Sequence, residues 1–385
     1  MTTQTRLPDT APGTATGAAA FEAPPTYELE RSPAGHFQLY LSRLIGRIVD
    51  NLYRALPPEQ LARLVEEYPF LDSYRQQLSG LPFGRWLGEF EAAYPGHLPL
   101  RALQEQLTIT DSTLELLLAA GLIEEDIRFG ALFAALQDPL SSREPCLGIL
   151  NWLLAPEDGR GYEGVPLWQA AEDLARQGLL AIQRGQGTVR LEWTLRVPLP
   201  LWDALSGRRF SQAIGSVASD PTANFPSLDD LILPEQLREQ LRHLPAMIAA
   251  GQIDTLVLRG MTGSGRRTAL GAIARSLGRD LLVLGGEGHT TEGHGADGDG
   301  GRRLLGPLAT LTNALPVIRL AAGAGETVRV DRLPGYSGTV GIAMSRIGGL
   351  EAIAAPGGLE LAIGAHRRRL TLQIKHTCRT DFGSE

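Results

Sequence analysis

Apolar positions recur at helical spacing over most of the first half of the chain. Leu41, Leu44, Ile45 and Ile48 fall on one helical face, as do Leu61, Leu64 and Val65. Prolines at Pro57-Pro58 and Pro99 suit helix starts, where a missing N–H costs nothing. Thr110 before Asp111 predicts a capped helix that ends at Gly121. Together these marks predict a helical bundle from His36 to about Leu154. An amphipathic stretch, residues 167–177, then stops at Gly178. Two apolar runs, residues 179–182 and 189–197, flank a turn at Gly185 and Gly187. A helix followed by a two-stranded hairpin predicts a winged-helix-like end to this region.

Beyond Gly251 the period changes. Residues 255–258 (TLVL) are a continuous apolar run, a glycine-rich turn follows, and residues 267–277 return to helical spacing. A second run, residues 281–284 (LLVL), closes a β-loop-α-β unit, the local signature of a parallel α/β sheet. Ahead of it, SLDDLILPEQLREQLRHLPAMIAAG carries apolar residues at helical spacing behind the cap residue Ser227. The pattern therefore predicts a multidomain α and α/β protein. A disordered tail covers residues 1–35, rich in Thr, Ala, Pro and Gly. A helical and winged-helix-like region covers 36–205, a polar linker 206–226, and an α/β module 227–385.

Composition narrows the class. At 385 residues the chain is two to three times a typical domain, which implies more than one hydrophobic core. No apolar run approaches the roughly 18–20 residues that cross a bilayer, and no charged-then-apolar leader opens the chain. The expectation is a cytoplasmic protein without membrane contact. Two cysteines, Cys146 and Cys378, are too few for a disulfide framework or a four-ligand zinc site, which fits a reducing compartment. Charge is uneven: 16 basic residues stand against 11 acidic ones from Thr255 onward, and 20 against 32 before it. An acidic front and mildly basic back suit protein contacts and an anionic ligand in the second half. A bulk nucleic-acid binder carries a larger basic excess. Lys375 is the only lysine, so arginine stands wherever else a cation is needed.

The candidate chemistry lies at residues 260–268, which read GMTGSGRRT. A phosphate-binding loop needs glycine at its first and sixth positions, then Lys and Ser or Thr. The glycines let successive N–H groups turn toward phosphate at a helix N-terminus. Gly260 and Gly265 have that spacing, and Gly263 adds flexibility among Met261, Thr262 and Ser264. An ordinary strand-to-helix turn is the plainer alternative. Arg266 replaces the lysine, and Arg267 falls where the Mg²⁺-binding hydroxyl belongs. Thr268 is one residue late, about 100° further round the helix. Arginine keeps the charge, but its planar fork is not equivalent to an ammonium. Phosphate binding is therefore favoured over rapid hydrolysis.

Hydrolysis also calls for an apolar strand ending in Asp-Glu, to hold Mg²⁺ and polarise water. The candidate strand, residues 315–320 (LPVIRL), runs into Ala321-Ala322-Gly323 with no carboxylate at its tip. Glu326 and Asp331 lie farther on, as surface residues of a β segment. A later strand, residues 339–344, leads into Ser345 and Arg346, a possible pair for a terminal phosphate.

Between His36 and Lys375 the chain resembles the AAA-family ATPases encoded with contractile injection systems, the extracellular phage-tail-like particles. The resemblance rests on GLIEEDIRFGALFAALQDP from Gly121, ILNWLL from Ile149, SLDDLILP, GMTGSGRRTALGAIARSLGRDLLVL, GPLATLTNALPVI and AGETVRVDRLPGYSGTVGIAMSRIGGL. Their order carries it, not any single motif. It implies helical and winged-helix-like parts ahead of a degenerate AAA-like P-loop NTPase module. ATP is the implied ligand, with Mg²⁺ possible although its protein ligand is displaced. The implied partners are an AAA ring or companion ATPase and injection-particle proteins. A second, intact module follows in that family, whereas Glu385 falls inside or just after the first, which leaves open whether the chain is a truncated or split form. Neither a catalytic strand nor an arginine finger carries over, and the tail KHTCRTDFGSE departs from the pattern.

Three further stretches carry charge or glycine patterns of their own. Residues 285–303 hold eight glycines, two histidines and four acids, and one calcium-repeat-like GADGDGG. A single copy cannot stack, so a flexible insertion is predicted. HRRR at residues 366–369 reads as a solvated face in an α/β edge region, with an anion or nucleic-acid patch as the alternative. Glu172 and Asp173 on the candidate recognition helix, opposed only by Arg176, disfavour DNA and favour a protein-docking role.

Overall fold

The computed structural model describes residues 30–138, 140, 142–155, 165–185, 189–208, 216–233, 235–261, 263–285, 296–352 and 368–373. The first part is helical: α1 (Pro33–Ala55), α2 (Pro58–Glu67), α3 (Phe70–Leu78), α4 (Phe83–Ala93), α5 (Pro99–Leu107), α6 (Asp111–Gly121) and α7 (Ile127–Leu136). The sequence marks explain several starts. Pro58 and Pro99 open their helices, and the Thr110 side chain accepts from the Thr113 N–H. Helix α1 starts at Pro33, within the expected tail, because the Ser32 side chain caps it through the Gly35 N–H at 3.2 Å. The long apolar face of α1 then packs on α3, α4 and α6.

A smaller unit follows: α8 (Leu147–Leu153), α9 (Leu167–Arg176), then β1 (Ala181–Gln183) paired antiparallel with β2 (Thr194–Arg196). Cys146, just before α8, bridges to Thr194, which adds a third chain segment beside the hairpin. The strands are shorter than the apolar runs suggest, since residues 190–192 turn as a 3-10 helix. Helix α10 (Leu199–Leu205) closes the region with Trp202 fully buried.

The α/β part contains β3 (Val217–Asp220), α11 (Glu235–Ala249), β4 (Ile253–Arg259), α12 (Arg266–Ser276), β5 (Leu281–Leu284), α13 (Ala296–Leu311), β6 (Leu315–Leu320), β7 (Thr327–Val330), β8 (Val340–Met344), β9 (Gly349–Ala352) and β10 (Arg368–Gln373). Six strands form one sheet in the order β10-β4-β8-β6-β5-β3. The first five are parallel, and β3 joins the edge antiparallel to β5. Strands β7 and β9 pair separately. Alternation divides the sheet's two faces. Leu256, Leu258, Leu281, Val283, Leu315 and Val317 pack with α11 and α12. Val257, Leu282, Ile318, Leu320, Ile342 and Met344 join α13 and the helical region in one continuous cluster.

Two expected boundaries change. The linker over 206–226 does not hold beyond residue 216, because Val217–Asp220 is a sheet strand and Phe225 is buried against α12. The Thr222 N–H donates to Asp280 Oδ1 at 2.9 Å, and Arg275 donates to the Phe225 carbonyl. The expected insertion over 285–303 is also too long, because α13 begins at Ala296; its remainder, 286–295, lies outside the described residues. So do residues 1–29 of the expected tail, and His366 and Arg367 of HRRR.

Candidate phosphate-binding loop

The loop runs from the end of β4 at Arg259 to the start of α12 at Arg266. Its entry is fixed to the neighbouring strand, since the Gly260 N–H donates to the Met344 carbonyl at 3.2 Å. A turn follows in which the Ser264 N–H donates to the Met261 carbonyl at 3.1 Å. Met261 is exposed, and Thr262 lies outside the described residues. Gly263 and Gly265 have φ of +80° and +78°. A Cβ at either would meet nothing within 4 Å, so backbone angle, not crowding, requires glycine. Left-handed backbone costs other residues about 1–2 kcal/mol.

Gly265 is left-handed and Arg266 helical, a pairing that turns successive N–H groups toward one side. The first N–H groups of α12 have no intrahelical partner and carry the positive end of its dipole. The loop also sits at a switch point. From β4 the chain crosses to β5 on one side, whereas from β8, the neighbour of β4, it crosses to β10 on the other. Ligands of open parallel sheets bind at the carboxyl ends of strands where connections diverge in this way.

The side chains depart from a magnesium-dependent phosphate site. Arg266 is half-buried; burial first, and then the like charge of Arg319, hold its guanidinium below the ordinary value. Arg267 points to the sheet edge, where its Nε donates to Asp220 Oδ2 at 2.8 Å. Thr268 is exposed one position further on. The Ser264 hydroxyl is buried and has no hydrogen-bond partner among the described residues. At the tip of β6, Glu326 caps its own turn, accepting from the Gly323 N–H at 2.9 Å. Ser345 donates to the Ala322 carbonyl at 2.6 Å, so its proton is committed within the protein, and Arg346 is exposed. Among the described residues, no group of three or more His, Cys, Asp or Glu could hold a metal ion. Mg²⁺ is usually held by one or two carboxylates beside substrate phosphates, and Glu326, past the tip of β6, is already bonded to the Gly323 N–H.

Sequence reasoning missed Arg319 and Asp220. Arg319 was legible as the one charged residue in LPVIRL, but a search for a carboxylate after that strand passes over a cation within it. Asp220 lies in a stretch read as linker.

Acidic side chains on α9 are engaged by arginines. Glu172 pairs with Arg184 at 3.2 Å, and Asp173 pairs with Arg176. A groove of about 510 Å³ runs between the start of α6 and α9, lined by Thr110, Val165, Leu167 and Asp173 among others. No helix among the described residues is long and apolar enough to cross a membrane. No protein-family model matches the chain, and no curated protein matches it in sequence.

Proposed function

We propose that this chain is an AAA-type nucleotide-binding protein that holds the phosphates of ATP on residues 260–268 and hydrolyses them little. The supporting observation is the loop itself: two left-handed glycines between a central parallel strand and a helix N-terminus, at the sheet's switch point. The missing lysine, hydroxyl and strand-end carboxylate each remove a separate part of the hydrolytic apparatus. On the resemblance, the chain acts as a ring or assembly subunit with a contractile injection system, beside a companion ATPase. Its α8–α9–β1–β2 unit is read as the winged-helix-like part.

Calorimetric titration of the purified chain with ATP tests the reading. Measurable binding is expected, with turnover far below 1 s⁻¹; a turnover near 1 s⁻¹, ordinary for phosphoryl transfer, overturns it. Gly265→Val should reduce affinity at least tenfold, because the side chain both disfavours the left-handed backbone and enters the phosphate seat.

A second reading, a non-catalytic adaptor, is favoured by the groove between α6 and α9 and by exposed Val189 and Leu191 on the hairpin connection. An adaptor needs no nucleotide, so absence of ATP binding selects it.

A further inference from the structure

Two guanidiniums stand at the mouth of the loop. Arg319 is the penultimate residue of β6, in register with Ala343 of β8, which is in register with Leu258 of β4. Alternation places Arg319 on the face of Val317, Ala343 and Leu258, the face that α12 covers. Arg266 opens α12 over the same corner of the sheet. The Arg319 guanidinium is exposed and donates to the Gly285 carbonyl at 3.4 Å, just past the tip of β5. The like charge of Arg319 acts on Arg266, and among the described residues no carboxylate does. Like charges held together are costly, and an anion between them relieves that cost. Beside them lie the buried Ser264 hydroxyl, without a partner among the described residues, and the free N–H groups of the α12 start.

We propose that this site takes a nucleoside triphosphate as the bare polyphosphate anion, not as its magnesium complex. Arg266 and Arg319 together supply the positive charge that a lysine and a metal ion supply elsewhere. The inference rests on the nucleotide reading above. A magnesium complex would bring a hydrated divalent cation against two guanidiniums, where the described residues offer the Ser264 hydroxyl but not the carboxylates that usually hold such an ion. The bare anion meets planar donors suited to bidentate phosphate contacts.

The test is calorimetric titration of the full chain with ATP, in excess EDTA and then in excess magnesium chloride. Affinity should be highest in EDTA and fall about tenfold or more with magnesium, which sequesters the free anion. Binding that is equal or tighter in magnesium overturns the inference and leaves the nucleotide reading standing. No binding in either condition removes the nucleotide reading, and this inference with it. Arg319→Gln should lose about tenfold in EDTA, an effect of one charge-assisted contact. Arg242→Gln removes an exposed arginine from α11 and should leave affinity unchanged. Wild-type affinity in EDTA for the Arg319 variant also overturns the inference.

Discussion

Replacing Gly271 with alanine asks whether residues 216–226 belong to the α/β module. Gly271 is buried within α12, and a Cβ added there would overlap three atoms of the Phe225 ring. Helix propensity alone favours the change, by about 1 kcal/mol for glycine to alanine in a helix interior. The ring opposes it. Phe225 is only 8% exposed, and an overlap with several ring atoms is too deep for a small adjustment, so the ring must leave its site. Losing a buried phenylalanine costs about 3–5 kcal/mol. The net expectation is a loss of about 2–4 kcal/mol, or a fall in Tm on the order of 10 °C for a module of this size. In a Phe225→Ala background the new methyl has room, and the same change should stabilise by up to about 1 kcal/mol. Urea and thermal unfolding of the four proteins, followed by circular dichroism, would give the coupling directly. If Gly271→Ala has the same sign and size in both backgrounds, Phe225 does not pack on α12, and the stretch is a linker after all.

Two other perturbations probe the helical region. Trp202→Ala should cost about 3–5 kcal/mol in urea unfolding, because the side chain is fully buried, meets Phe37 edge-on at 5.2 Å and donates to Glu125 at 3.0 Å; a loss below about 1 kcal/mol contradicts that packing. Asp126 concerns pH. Burial pushes its carboxyl up, but hydrogen bonds from the Arg128 side chain and N–H and the Tyr74 hydroxyl outweigh burial and hold it below the ordinary carboxylate range. A depressed folded value means its stabilisation is present above about pH 4 and is lost as pH falls through the folded value. Wild-type stability should therefore fall more steeply below pH 4 than that of Asp126→Asn; parallel acid limbs would show the carboxyl is not depressed.

The elements that were legible are those whose own residues decide them. The runs LLVL and LPVIRL became β5 and β6 with the expected bounds, because continuous apolar stretches suit strands buried on both faces. The loop was legible from glycine spacing and its flanks. Strand β3 was not, since VASD has one apolar residue with full burial and sits at a sheet edge, where pairing supplies what pattern does not. The start of α13 was hidden for another reason: ADGDGG contains poor helix formers, and the helix holds through Leu305, Leu308 and Leu311, which pack farther along. Around Ser227, helical spacing misled. Its hydroxyl and N–H both bond to the Asp230 carboxylate, a local turn that competes with helix, and α11 begins only at Glu235. For the site, the backbone was readable from sequence but the charge pattern was not, because Arg319 comes to the loop only through sheet register.

Length implied more than one core, and two clusters exist, but they do not divide where the sequence divides. The larger runs from α1 through Trp202 into α13 and one face of the sheet; the smaller holds the other face with α11 and α12. The helical region is thus the cover of the sheet. His97 Nε2 lies 2.8 Å from the Leu311 carbonyl at the end of α13, and burial holds that imidazole below its ordinary value. Gly178, at the end of α9, approaches the Arg303 carbonyl so closely that a Cβ would collide with it, and its φ of +77° independently requires glycine. Close packing of this kind transmits displacement, because interiors have few voids to absorb it. Strand β6 stands at the junction. Ile318 and Leu320 face the cluster shared with the helical region, while Arg319 between them faces the loop. Helix α13, which Gly178 touches just after α9, packs on β6, so the helical region and the Arg319 side chain meet opposite faces of one strand.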